Sequence, residues 1–480
     1  MADLAPVEPV KPVETIQTEP VVCVDFGSTF TKAALVDTVT GGLLATAAHR
    51  TTVGTDVLDG FDACLAELVA ADVRAADAEV LACSSAGGGL RIAVVGNEAL
   101  VTAEAGRRVA LSSGGRVVHV SSGGLDDAAL DDLRASAPDV LLLVGGTDGG
   151  NSEVLLSCAE VLAAARWPGP VVVAGNVDAR PEVAARLESA GTPYVLAGNV
   201  VPRIGVLEPD SARAAIREMF LRHVIGGKHL SSRADFTAMV RGATPDVVLS
   251  AVELLARGTG ELPGAGDVVV LDIGGATTDV HSVVEVDPED AGLSREVVAT
   301  LPVSRTVEGD LGMRWSAVST VEEGLASGLL ADADRMRPAA AARRADPAFL
   351  PSDEAELQDE EEIATAAAAL AMRRHAGRQR VGYQPDDGGG GGARVVERSG
   401  KDLREVALLI GSGGVLRHNA AAVAERVLAS VTGDGVGGAG GWQLPRAPRT
   451  VVDHDYVLAA AGLVAARHPQ AAHALLARLR

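Results

Sequence analysis

Two short stretches, Asp25 to Lys32 (DFGSTFTK) and Asp272 to Asp279 (DIGGATTD), limit most strongly how this chain folds. Each follows an apolar, β-branched run, carries an acid where that run ends, and turns through glycine and hydroxyl residues into a second apolar run. Val21 to Asp37 therefore reads as strand, tight turn, strand, with Thr38 to Gly42 as the next turn. A Walker-type loop would instead hand its lysine to a helix. Asp267 to Leu271 and Val280 to Val284 flank the second loop in the same way. A pair of such hairpins facing each other would put Asp25 and Asp272 on either side of one metal-nucleotide.

The residue types suit a phosphate grip. Gly27 lets the backbone approach an anion closely, Ser28 and Thr29 offer hydroxyl donors, and Lys32 supplies a cation. Asp25 repels phosphate but suits Mg²⁺, which keeps much of its water and is held through it. In the second loop Gly274 and Gly275 play the part of Gly27, Thr277 and Thr278 that of the hydroxyls, and Asp272 that of Asp25. The alternative is a pair of buried strands with ordinary Gly-Ser turns. Lysine usage favours the grip: the chain has four lysines, at 11, 32, 228 and 401, among 42 basic residues. One retained inside an apolar hairpin suggests that a compact point charge is wanted there. A third glycine turn, Gly411-Ser412-Gly413-Gly414, joins an expected strand at Glu405 to Ile410 to an expected helix at Val415 to Arg426. It would allow close approach of a flat or phosphorylated group.

Composition narrows the class. A chain of 480 residues is long enough for about three units. With 47% apolar but only 2% aromatic residues, its cores must be built from Ala, Val and Leu. A net charge of -22 argues against a nucleic-acid surface. Cysteines at 23, 64, 83 and 158 form no CxxC pair, so neither zinc site nor disulfide framework is expected, and Cys23 reads as a buried strand residue. With no run long enough to span a bilayer and no signal-peptide pattern, a cytoplasmic protein without membrane contact is expected.

Along the chain, residues 1–19 read as a disordered tail, 20–265 as a first lobe and 266–480 as a second. Asp139 to Asn199 has a parallel βαβαβ pattern inserted in the first lobe. Asp148, Asn151 and Asn176 fall at carboxyl ends of its strands, where they either line a crevice or cap helices. Val297 to Val303 reads as a strand and Asp310 as a helix cap. Residues 333–402 read as a low-complexity insert around a helix at Ile363 to Arg374, with Gly388 to Gly392 as linker. Tyr456 to Ala466 (YVLAAAGLVAA) reads as a small-residue helix suited to close contact.

Taken together, DFGSTFTK, LDIGGATTD and LLIGSGGVLRHN resemble, in order and spacing, the phosphate-1, phosphate-2 and adenosine motifs of the actin, Hsp70 and sugar-kinase superfamily. YVLAAAGLVAA stands where that superfamily has its second connecting helix. The resemblance implies an α/β fold of two ribonuclease-H-like lobes, with ATP and Mg²⁺ between them. It assigns Asp25 and Asp272 to Mg²⁺, Gly27, Ser28, Thr29, Lys32, Gly274, Gly275, Thr277 and Thr278 to phosphates, and Gly411, Gly413 and Gly414 to adenosine. The residue orienting the attacking water stays open between Asp148 and Glu308. More narrowly, LLLVGGTDGGN, AGNVDARPEV, LAGNVVPRIGVLEP and SRTVEGDLGMRWSA are similar to the glutamate mutase accessory protein family of GlmL/MutL type, over residues 20–330 and 403–466. That implies an ATP-driven reactivating chaperone whose partner is an adenosylcobalamin-dependent mutase. The alternatives on the same fold are a small-molecule kinase and a nucleotide-switched scaffold or filament.

Overall fold

In the computed structural model, residues 19–86, 89–113, 115–285, 301–384, 393–433 and 440–480 are described. The chain opens as an antiparallel meander, β1 (Pro20–Phe26), β2 (Phe30–Asp37) and β3 (Leu43–Arg50); the Val- and Ala-rich β1 and β2 are buried as their composition requires, and β3 is the more exposed edge. After helix Val57–Ala71, capped by the Asp56 carboxylate, β4 (Glu79–Ser84) joins β1 in parallel. The chain then leaves to build a separate all-parallel sheet from β5 (Leu90–Gly96), β6 (Gly115–Ser122), β7 (Val140–Leu143), β8 (Val171–Val173) and β9 (Tyr194–Leu196). It returns as β10 (Val240–Ala243) beside β4, closing the first sheet in the order β10-β4-β1-β2-β3. The inserted unit is thus larger than the three-stranded pattern read from residues 139–199: β5 and β6 belong to it as well.

The second half repeats the first. β11 (Val268–Ile273), β12 (Thr278–Val283) and β13 (Val303–Glu308) form an antiparallel meander. Hairpin β14 (Arg378–Gln384) and β15 (Ala393–Ser399) stands apart, and β16 (Leu408–Ser412) and β17 (Arg449–Val452) add in parallel beside β11. The resulting order, β13-β12-β11-β16-β17, matches the first sheet strand for strand. Two sheets of this order are the two ribonuclease-H-like lobes that the motif resemblance implies.

Two helices, Thr244–Arg257 and Val457–Ala465, lie between the sheets in one core with Val21, Cys23 and Ala34 of the first and Val268, Val270 and Ile410 of the second. They touch backbone to side: a β-carbon on Gly462 would stand 2.1 Å from the Val247 carbonyl oxygen. Only a residue without a side chain permits that crossing.

Several sequence expectations are corrected here. Helix Glu354–His375 is no low-complexity filler. Its run from Ala366 to Ala369 lies in the core of the second lobe, and its ends carry the right signals: an Asp353 cap, acids in the first turn and basic residues in the last. β13 begins at Val303; of the strand expected from Val297, residues 297–300 lie outside the described residues, as does Gly388 to Gly392. Asp310 does not cap a helix but accepts from Arg374 Nη1 at 2.8 and 2.9 Å. The helix expected from Val415 is split in two, Gly414–His418 and Ala421–Ala429.

Candidate functional site

Asp25 and Asp272 occupy the same place in their lobes, near the end of the first strand of each meander. The hairpins that follow match residue for residue. Asp25 pairs with Lys32 and Asp272 with Asp279, and each turn closes with one bond: Gly27 N–H to the Phe30 carbonyl at 3.1 Å, Gly274 N–H to the Thr277 carbonyl at 2.9 Å. These two N–H groups are therefore spent inside their turns, and anion-binding donors must come from the loop tips and side chains. The turns meet face to face, for a β-carbon on Gly275 would lie 2.6 Å from Thr29 Oγ1. A bare glycine at that point lets the loops approach.

Asp25 is buried at the centre of a network. Its Oδ1 accepts from Thr244 Oγ1 at 2.6 Å and from the Cys83 thiol at 3.6 Å. Its Oδ2 accepts from the Tyr456 hydroxyl at 3.0 Å and stands 3.6 Å from Lys32 Nζ. Asp272 accepts from the hydroxyl of Ser412, its register partner on β16. Burial raises the Asp272 carboxyl above its usual range; Lys32 opposes the rise and Asp25 adds to it, so the two acids sense one another. Burial, with Asp25 and Asp272 nearby, pushes the Tyr456 phenol well above its ordinary value, so it stays a donor. A cavity of about 280 Å³ opens beside this group, lined by Asp25, Lys32, Arg417, His418, Asp455 and Tyr456 among others.

Do these residues fit a metal-nucleotide? Two hydroxyls expected to face phosphate, Thr29 Oγ1 and Thr278 Oγ1, are shut off from solvent with no hydrogen-bond partner among the described residues. Buried orphan donors call for an acceptor. Among the described residues no three His, Cys, Asp or Glu side chains form a ready metal cage. Two carboxylates with hydroxyls nearby suit Mg²⁺, which draws most of its ligands from water and phosphate. The residues fit.

The remaining expected site residues divide. Ser28 lies at the tip of the first turn, and Thr277 bonds the Asp279 carboxylate. Gly414 opens a helix with nothing within 4 Å of a β-carbon, leaving room for a ligand. Gly411 and Gly413 serve the interior instead: a β-carbon on Gly411 would lie 2.8 Å from Leu416 Cδ1. Gly413, at φ +99, would meet the Ile273 carbonyl oxygen at 2.1 Å.

Asp148 does not join the group. It lies in the turn beyond β7 of the inserted sheet, accepting from the Val177 N–H at 3.1 Å and Asn199 Nδ2 at 2.8 Å. Asn151 and Asn176 likewise accept from the Glu153 and Asp178 N–H groups, so the capping alternative describes them. Glu308 does sit beside the second loop, paired with Thr278, but Arg374 takes its carboxylate at 2.6 Å.

Thr244 and Tyr456 were missed in the sequence. Their contacts with Asp25 span 219 and 431 residues. The signal for Thr244 was its place before Pro245, a helix start. Tyr456 gave none, because it reads as the first residue of a helix and instead stands outside it at φ 56, ψ 44.

Comparison with known proteins gives the family. A family model described as MutL protein matches residues 21–479. Protein MutL of Clostridium tetanomorphum is 36% identical over 465 residues, covering 94% of this chain and 96% of that protein. That breadth reaches past the 20–330 and 403–466 over which the motif resemblance runs. Among solved structures, the ethanolamine utilization protein EutJ of Carboxydothermus hydrogenoformans aligns over 98% of this chain and 92% of its own, at 11% identity and a TM-score of 0.27. Xylulose kinase of Bifidobacterium adolescentis aligns over 96% and 93%, at 12% identity and a TM-score of 0.31. Overlays this loose carry no argument, and the fold rests on the two matching sheet orders. The chain belongs to the MutL protein family, the glutamate mutase accessory family that its sequence motifs resemble.

Proposed function

We propose that this protein binds and hydrolyses Mg-ATP between its lobes and uses the cycle to reactivate an adenosylcobalamin-dependent mutase of the glutamate mutase kind. The observation that carries the reading is the meeting of the two acid-bearing hairpins, with Thr29 against Gly275 and Asp25 electrostatically linked to Asp272. Asp25 and Asp272 hold the metal's water, Thr29 and Thr278 give their unpartnered hydroxyls to phosphate oxygens, and Lys32 adds a cation. Ser28 extends that donor set, Thr277 holds the Asp279 carboxylate beside it, and Gly414 leaves space for the base. Mg²⁺, when bound, neutralises charge on the transferred phosphate. The protein's share is positioning and electrostatics, as is usual for phosphoryl transfer. The two helices between the sheets transmit lobe movement to the outer surfaces where a client docks. Burial of Asp272 keeps its charge costly until a cation arrives, which makes that movement conditional on the metal.

The test is restoration of a mutase that has lost activity to a damaged cofactor. With this protein, Mg-ATP and fresh adenosylcobalamin, activity returns; with the non-hydrolysable analogue it does not. ATP consumed into a phosphorylated small molecule, with no mutase recovery, would replace the chaperone by a kinase.

A further inference from the structure

Tyr456 holds a backbone conformation that a side chain rarely adopts, φ 56 and ψ 44. A left-handed non-glycine residue is unfavourable by about 1 kcal/mol or more, so the surrounding structure must enforce it. It does. The buried Asp453 carboxylate accepts from the Val457 and Leu458 N–H groups at 2.9 and 3.2 Å, while its own N–H donates to the Gly411 carbonyl at 2.9 Å. The turn is thereby pinned to β16, and Tyr456 is held out of the helix toward the first lobe.

Two different groups of the site meet it there. The hydroxyl donates to Asp25 Oδ2 while Oδ1 accepts from Thr244 and the Cys83 thiol, so that donors on both oxygens fix the plane of the carboxylate. Oδ2, with one hydrogen-bond donor, keeps a second lone pair for another partner. The ring face takes the Lys32 ammonium at 3.6 Å from its centroid, with the Arg417 guanidinium at 5.0 Å. Arg417 is itself fixed by two bonds to the His454 carbonyl, at 2.9 and 3.1 Å. A lysine on a four-carbon stem is otherwise free to wander; an aromatic face gives it one seat.

We propose that Tyr456 is a positioning residue for the phosphate end of the site, its hydroxyl aiming Asp25 at the metal and its ring seating Lys32. This rests on the Mg-nucleotide reading. A purely packing role is the competing account, and phenylalanine would satisfy it in full.

The experiment is calorimetric titration of the full chain with ADP, in Mg²⁺ and again in EDTA, for wild type, Tyr456→Phe and Tyr456→Leu, with thermal unfolding as the folding check. Loss of the hydroxyl weakens binding in Mg²⁺ roughly tenfold, the worth of one hydrogen bond to a charged group. It leaves metal-free ADP within about threefold, because the ring still seats Lys32. Loss of the ring weakens binding under both conditions. If Tyr456→Phe binds like wild type in Mg²⁺, or loses equally with and without it, the positioning role is wrong. If Tyr456→Leu does not fold, the phenylalanine variant alone decides. Wild type that binds no Mg-ADP would remove the nucleotide reading and this role together, whereas normal wild-type binding with an unaffected Phe variant removes this role alone.

Discussion

At the scale of single residues, the two acids of the site stand in opposite accounts with stability. Asp25 satisfies Thr244, Cys83, Tyr456 and Lys32, so Asp25→Ala strips four groups of their partner and destabilises by about 2–3 kcal/mol. Asp272 is held against a burial penalty, so Asp272→Ala lowers stability by less than Asp25→Ala does. Both variants lose Mg²⁺-dependent ATP turnover. Denaturant melts alongside a phosphate-release assay check the pair; equal stability losses, or turnover that survives in both, count against the assignment. Lys401 makes a separate prediction. Burial, with Arg108 nearby, lowers its ammonium from 10.5 to about 7, and it donates to the Leu301 carbonyl and to Ser304. Below about 7 both folded and unfolded chains carry the proton; from there to 10.5 only the unfolded chain holds it, so stability rises with pH across that window. In Lys401→Met the rise is smaller, on the order of 3 kcal/mol less between pH 7 and 10, by urea melts at stepped pH. The sequence exposed Asp25, Lys32, Thr29 and Thr278 because each is declared by neighbours within a few positions. Thr244 and Tyr456 were hidden, since nothing local to either says which strand end it will reach.

At the scale of elements, the connecting helices are legible as helices but not as neighbours. The small-residue run after Tyr456 announces close contact without naming its partner, and the partner is the backbone at Val247. Gly462→Val forces a branched side chain into that carbonyl and destabilises by about 3 kcal/mol, measured by thermal unfolding; a loss under 1 kcal/mol would mean the helices separate easily. The Ala-rich helix Glu354–His375 was misjudged for a physical reason. Alanine promotes helix equally in solvated and buried settings, and the acids at 359–362 suggested solvent. One of them, Glu360, is in fact buried between Arg343 at 2.6 Å and Arg314 at 2.8 Å. Glu360→Ala leaves two guanidinium groups without their counter-ion and lowers stability by about 3–5 kcal/mol, more than truncating exposed Glu354 on the same helix.

At the scale of the whole molecule, duplication explains why so much of the fold was readable. Once the two hairpins and the Gly411 turn are seen in the order of the superfamily motifs, a two-lobed body is what the resemblance implies, and the inserted parallel sheet only lengthens the path from β4 to β10. What duplication does not convey is how far the lobes stand apart. Ligand linkage tests whether the groove between them takes the nucleotide: Mg-ADP at ~100-fold excess over its Kd adds about 2.7 kcal/mol, seen as a rise in unfolding temperature that EDTA cancels and Asp25→Ala lacks. A rise that persists in EDTA would place the stabilisation outside the metal site. The shortage of aromatic residues, meanwhile, has an optical consequence. With three tyrosines in the chain and one of them lodged under an ammonium at the cleft, ultraviolet absorbance carries few competing signals. Subtracting the Tyr456→Phe spectrum from wild type isolates a single chromophore whose band shifts when the charge above its ring is withdrawn, so the protein carries its own dye for the state of that lysine.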